Sequence, residues 1–389
     1  MEVLMIIKIL LAVSLIMLFL LSSCSSLPRF VIPNERKISN WGTLDTQTAD
    51  LLQGILDDAI SKYNLIGIQA SIKTKDGRTW NGASGTADKK RKKLLTINDP
   101  IRIGSVTKTF TAVLILHLIE KGYIRLDQNL DVWVPDISES HKITLRHLLN
   151  HSSGIPEILG MKVMMASTIH PHKIWKSEEL LEIIKNKKLD FMPGSKHKYS
   201  NSNYILLGLI AEKVTGKPLK ELYREEILNP LDLRNTFFVP YENPPINLVS
   251  GYDQSLIPSP GYIQIKSDNT SWSTCAYASG AMVSTANDLL KFISSIVDTT
   301  IINNKSLELM TSFHQGADKK EKYNKYFGFG LFHFDTVYDN TYGHLGLFIG
   351  SESIVLYHPE KKYIVSLIGN VSKFNKDELI KDIIRIIEQ

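Results

Sequence analysis

Ile103-Gly-Ser-Val-Thr-Lys-Thr-Phe-Thr-Ala-Val-Leu-Ile-Leu-His-Leu-Ile119 is the stretch whose reading decides the fold. From Thr109 to Ile119 it is apolar nearly all round, and Gly122 stands where a C-terminal cap falls. A helix without a polar face is a buried one. Its entrance sets Ser105 and Lys108 one turn apart on one face, where an amine can take the hydroxyl proton. An ordinary lysine, with a pKa of about 10.4, stays charged at pH 7. Lowering it by about 3 units, worth about 4 kcal/mol, requires desolvation or a neighbouring positive charge. A buried helix start supplies the desolvation. Spacing alone leaves Ser105 open as an N-cap and Lys108 as a structural ion-pair partner. It also recurs at Ser195-Lys-His-Lys198, although that copy follows the turn signal Pro193-Gly194 and leads into no apolar helix.

Upstream, the apolar residues from Thr48 to Tyr63 share one helical face. Ile66, Ile68, Ala70 and Ile72 then alternate as in a strand, and Lys75-Asp76-Gly77 supplies a hairpin turn. Downstream, residues 143–300 carry repeated helix signals: Thr144 before Leu145, Ser177 before Glu178, Asn203 to Val214 closed by Gly216, and Ser284 before a helix to Val297. After residue 325 the texture turns to short strands, Tyr326–Phe334, Tyr342–Ile349, Ser353–Tyr357 and Tyr363–Ile368, closed by an amphipathic helix Asp377–Ile387. The expectation is an α/β fold. An antiparallel sheet flanked by helices is built from both chain ends (about 45–115 and 275–389), with a mainly helical part (about 116–274) inserted.

The 389 residues are 43% hydrophobic and 22% charged, with a formal net charge of +5, a composition that sets no unusual class. The dense basic run Lys89-Lys-Arg-Lys-Lys93 has no interleaved aromatics and reads as a solvated turn, so nucleic acid is not an expected partner. The first residues carry Lys8, an uninterrupted apolar or small stretch Ile9–Leu21, then Leu21-Ser-Ser-Cys24. That stretch suits a signal-peptide core better than a membrane span, which needs about 20 residues. The tetrad resembles a bacterial lipoprotein processing box with Cys24 as the lipidated residue. The reading is a signal peptide over 1–23, a lipidated tether over 24–44, and an exported, membrane-anchored location facing the periplasm or cell envelope. Cys275 is then the lone cysteine of the folded part, and no intrachain disulfide is expected.

Ser105–Lys108, Tyr199-Ser-Asn201 and His344-Leu-Gly346 occur in that order, and together they resemble the signature elements of the serine β-lactamase and penicillin-binding superfamily. The likeness is greatest to the branch holding class C β-lactamases, D-alanyl-D-alanine carboxypeptidases, D-amino-acid peptidases and related esterases. Three further phrases carry it: Ile143 through Pro156, Met192-Pro-Gly through Asn201, and Ala278 through Asp288. It spans about residues 45–389. The resemblance implies acyl transfer to Ser105, with Lys108 and Tyr199 sharing the proton and Asn201 orienting a substrate amide or carbonyl. It also implies an oxyanion hole of the Ser105 and Leu347 backbone N–H groups, and substrate lying along the strand at Gly346, where no Cβ obstructs it. No metal or organic cofactor is implied.

One element departs from the commonest family pattern, Lys-Thr-Gly. His344 replaces the lysine, and Leu345 replaces a hydroxyl residue that often helps hold a substrate carboxylate. The expected substrate is therefore stated only as a small peptide, amide or ester, peptidoglycan-derived peptides included. His344 is also open as a strand histidine with a backbone partner. Binding without much turnover, as a penicillin-binding or cell-wall-binding lipoprotein, is the alternative function. His147 and His151 stand at i and i+4, but no glutamate follows His147, so a metal is not read there. His170-Pro-His172, with Met161, Met164 and Met165 nearby, reads as a wall or lid over the cleft.

Overall fold

Asp45 opens the first helix, its carboxylate accepting the Thr48 N–H at 2.9 Å, and α1 (Thr46–Lys62) turns Leu52, Leu56 and Ala59 inward. The computed structural model describes residues 42–90, 92–244, 248–253, 261–266, 268–317, 326–335 and 338–389. The leader and Cys24 lie outside the described residues. After α1 come β1 (Gly67–Lys73), β2 (Thr79–Asp88), β3 (Lys93–Leu94), β4 (Ile101–Arg102), a single 3-10 turn (Gly104–Val106) and α2 (Thr107–Glu120). The middle of the chain supplies α3 (Leu145–Leu149), α4 (Met161–Ile169), α5 (Ser177–Ile184), α6 (Asn201–Thr215) and α7 (Leu219–Tyr223). It continues with β5 (Phe237–Phe238), β6 (Gly251–Asp253), β7 (Ile263–Ile265), α8 (Thr270–Ala276), β8 (Met282–Ser284), α9 (Ala286–Val297) and α10 (Asn304–Met310). The last part carries β9 (His314–Gln315), β10 (Tyr326–Phe327), β11 (Phe332–Phe334), β12 (Thr341–Phe348), β13 (Ser351–Tyr357), β14 (Ile364–Gly369) and α11 (Lys376–Ile387).

The main sheet runs β3-β2-β1-β14-β13-β12-β11-β10-β9. The two chain ends meet inside it, β1 lying antiparallel to β14 from Ile68↔Gly369 to Lys73↔Ile364. Alternation sends Ile68, Ala70, Ile354, Leu356 and Leu367 to a core shared with Leu52 of α1 and Ile380 of α11. Val355, Ile364 and Ile368 point the other way, into the core that holds Phe110 of α2 and Phe292 of α9. Both faces are thus covered, which is why these strands are apolar on both sides. Gln69 is one of several buried polar residues in these strands, and it is satisfied: its Oε1 accepts the Ala286 N–H at 3.1 Å and its Nε2 donates to Thr96 O and Asp99 O at 2.7 Å.

Helix α2 starts at Thr107 and ends as expected, Gly122 taking φ +76 just beyond it. Tyr326–Phe334, read from sequence as one run, is instead the hairpin β10–β11, reversed at Gly330 with φ +67. The cap of α9 is Thr285 rather than Ser284, its hydroxyl accepting the Asp288 N–H. No described helix is long and apolar enough to cross a membrane.

Candidate active site

Ser105 is held by what surrounds the three residues before it. β4 pairs with β8 through Ile101↔Ser284 and Arg102↔Val283, and the Ile103 N–H donates to Met282 O at 3.1 Å. From the other side the Ser351 and Ser353 hydroxyls donate to Arg102 O and Ile103 O, each at 2.8 Å. Gly104 then turns the chain at φ +49, where a Cβ would lie 2.6 Å from Leu347 O and 3.0 Å from Leu347 N. Only glycine fits that approach. Ser105 therefore sits at the mouth of a buried helix against the backbone of β12. It is not an N-cap, since Val106 takes that position and no side chain caps the turn.

Lys108 is fully buried, and its Nζ has three acceptors: Ser105 Oγ at 3.1 Å, Asn201 Oδ1 at 2.7 Å and Ser279 O at 2.8 Å. It also lies 4.8 Å from the Tyr199 ring centre. No carboxylate among the described residues forms an ion pair with it, which speaks against the ion-pair alternative. Burial lowers its pKa to about 7, with the charge of Glu157 pulling the other way. Near neutrality a large share of Lys108 is the free amine. Two N–H bonds to Asn201 and Ser279 then direct its lone pair at the Ser105 hydroxyl.

Burial pushes the Tyr199 phenol above its ordinary range, while a hydrogen bond to Ser105 draws it down. The tyrosine therefore stays protonated at neutral pH. Tyr199 packs 4.6 Å from His151, whose ring is buried and held neutral by desolvation and by the charge of Lys108. His151 Nδ1 accepts the Ser200 N–H at 3.2 Å, fixing the backbone between Tyr199 and Asn201. Glu157 completes the cluster: its Oε2 accepts the Asn201 N–H at 2.8 Å and lies 3.4 Å from Asn201 Nδ2. A carboxylate at the start of α6 does the work of a cap, which Ser200 does not provide. Sequence reasoning assigned no role to Glu157 or the Ser279 carbonyl. Glu157 directly follows the Ile143–Pro156 phrase, which was the available signal.

β11 pairs with β12 only as far as Gly343, leaving residues 344–348 with no strand on that edge among the described residues. His344 is 1% exposed and stacks on Phe332 at 4.2 Å, with Nδ1 2.5 Å from Leu345 O. Burial, then Lys108, lowers its pKa to about 3, so it is neutral. It lies within electrostatic reach of the lysine but does not line the cleft. Leu345 packs into the core beneath α1 and α11. Contrary to the expectation from the sequence, Gly346 does not serve to clear a path for substrate: a Cβ there would meet Ile103 O at 1.9 Å and Ser353 Oγ at 2.3 Å. The glycine admits the Ile103 carbonyl, which positions Ser105, and its missing side chain does not face substrate. Leu347, in contrast, is 53% exposed.

Beside them lies a cleft of about 540 Å³ that Ser105, Asn201, Ser279 and Leu347 line together with residues of α4 and α8. The Met161–Met165 segment is one of its walls. The second Ser-x-x-Lys copy lies on the surface, with Ser195 Oγ donating to Met192 O at 2.6 Å and Lys198 Nζ to Asp190 at 2.7 Å. His147 is the capping partner of Thr144, and His151 leaves the helix at φ +61, so the i, i+4 pair does not share a helix face. No group of three or more His, Cys, Asp or Glu among the described residues is arranged to hold a metal ion.

Comparison with known proteins bears on the family and the fold. The chain is 32% identical to penicillin-binding protein 4* of Bacillus subtilis over 159 residues, 40% of this chain and 34% of that relative, and so spans about a third of its length. It is 25% identical to the esterase EstB of Burkholderia gladioli, over 63% of this chain and 69% of that one. Among solved structures, the D-amino acid amidase of Ochrobactrum anthropi SV3 superposes with a TM-score of 0.76 at 28% identity, covering 88% of this chain and 99% of the amidase. The D-stereospecific amidohydrolase of a Streptomyces species gives 0.73 at 26% identity, covering 86% and 97%. The family model described as Beta-lactamase matches residues 50–387, nearly the whole described fold, and the chain belongs to that family.

Proposed function

We propose that the protein is a serine hydrolase that cleaves an amide or ester through an acyl-enzyme on Ser105. The carrying observation is the buried Lys108 amine, 3.1 Å from Ser105 Oγ, with its other two N–H directions occupied. Lys108 takes the hydroxyl proton as Oγ bonds to the substrate carbonyl carbon. The Ser105 and Leu347 amides receive the oxyanion, a reading supported by the close backbone approach of Gly104, the residue before Ser105, to Leu347. Collapse breaks the bond to the leaving group, which takes the proton by way of Lys108 and Tyr199. Water then attacks the ester, yields a carboxylic acid and restores Ser105. Asn201, held by Lys108 and Glu157, orients the substrate carbonyl or amide.

The substrate class is an amide or ester, in keeping with the printed names of the relatives, and the location is the cell envelope by way of a lipidated Cys24. A neutral, buried His344 and an inward Leu345 offer little to a substrate carboxylate, which favours an esterase or amidase over a carboxypeptidase. Rates on a short nitrophenyl ester, a D-amino-acid amide, a D-alanyl dipeptide and a chromogenic cephalosporin test this. Turnover of the first two above the others is expected. A stoichiometric acyl burst without turnover on any of them would instead show a binding protein.

A further inference from the structure

The cleft beside Ser105 is mostly apolar, and one wall is unusual. Helix α4 presents Met161, Met164, Met165 and Ile169 at i, i+3, i+4 and i+8, a single helical face, and all four line the cavity. They are 72%, 43%, 55% and 65% exposed, so no part of the described chain covers them. A contiguous bare apolar face marks a binding surface, and here it is continuous with the nucleophile. Trp272 and Phe348 form another side of the cavity. That side is rigid: the buried Arg102 guanidinium donates to Ser273 Oγ at 2.5 Å, lies 3.4 Å from Asn269 O, and sits 4.9 Å from the Phe348 ring centre. The methionine side is adaptable, since unbranched thioethers repack around differing shapes.

The cavity also has a direction. A leaving group must face the Tyr199 proton donor, yet Tyr199, though partly exposed, does not line this space, whereas Ser105, Asn201 and Leu347 do. Its bulk therefore lies on the acyl side of the scissile bond. We infer that the α4 methionine face is an acyl-group subsite selecting amides and esters whose acyl part carries a large apolar group, an aromatic ring or a medium alkyl chain. The inference rests on Ser105 being the nucleophile. An acetyl or alanyl group would leave most of the roughly 540 Å³ unfilled.

The test uses the full chain with nitrophenyl acetate, hexanoate and phenylacetate. Each methylene buried is expected to raise kcat/KM about threefold, so hexanoate exceeds acetate by at least about tenfold. Met164→Ser combined with Met165→Ser is expected to remove most of that preference, lowering the hexanoate-to-acetate ratio by severalfold, without unfolding the chain, since exposed positions change stability little. Ile169→Ser is an independent variant with the same expected direction, and melting temperatures check that each folds. Equal rates on acetate and hexanoate, or a double variant that loses both in proportion, would overturn the subsite. Alkyl fluorophosphonates of short and long chain read the same preference as labelling rates, independently of turnover. Absence of any Ser105 labelling would sink the nucleophile instead, so the two failures are distinct.

Discussion

Gly104 and Leu347 meet backbone to backbone, close enough that a Cβ on the glycine would lie 2.6 Å from the Leu347 carbonyl oxygen. The contact joins the turn carrying Ser105 to the open edge of β12, beside the two amides proposed to receive the oxyanion. Gly104→Ala is expected to lower kcat by about 10² to 10³, the scale of losing one oxyanion donor. Strain at a positive φ should cost a further 1–3 kcal/mol or so of stability. Steady-state kinetics and thermal melts check both, and an alanine variant with wild-type kcat would contradict the assignment.

The acylation rate should follow the free-amine form of Lys108. With its pKa lowered to about 7, the rate rises as pH increases through about 7 and is flat above. The stability consequence has the same sign. The folded state sheds this proton near pH 7 and the unfolded chain near 10.5, so the unfolded state binds more protons between them. Wild type should therefore gain stability relative to Lys108→Met as pH climbs from about 7 to 10, while the methionine variant acylates at least about 10²-fold more slowly. Denaturant titrations at several pH values measure the slope, and a difference independent of pH would show that Lys108 is not desolvated.

Glu157 raises the pKa of Lys108 and fixes Asn201. Glu157→Gln removes the charge but keeps acceptor and donor groups near Asn201. The acid limb of the pH–rate profile is expected to move to lower pH, with KM changed less than by Glu157→Ala. A limb that stays in place would leave Glu157 with a structural role only.

Much of this was legible in the sequence because it was local. The buried α2 followed from eleven residues without a polar face, and the Ser105–Lys108 spacing followed from helical geometry. The sheet β4-β8-β5 was not, since strands two or three residues long carry no periodicity and form only because neighbours hold them. Glu157 was missed for a related reason: it meets Asn201 across 44 positions, and a single loop carboxylate has no pattern to betray it. Gly346 was singled out for the wrong face, because alternation along a strand does not say which side is core until the neighbouring Ile103 carbonyl is placed.

The copy of the tetrad at Ser195–Lys198 should be inert. Lys198 is 60% exposed and pairs with Asp190 at the surface, a contact worth about 0–1 kcal/mol. Ser195→Ala with Lys198→Ala is expected to keep activity within about twofold and stability within about 0.5–1 kcal/mol.

The central claim is that Ser105 is the nucleophile, and covalent labelling tests it most directly. A fluorophosphonate or fluorescent penicillin should add its mass to the wild-type chain, at a tryptic peptide containing Ser105, and leave Ser105→Ala unmodified. Undiminished labelling of the alanine variant, or label found on another serine in the wild type, would contradict the account.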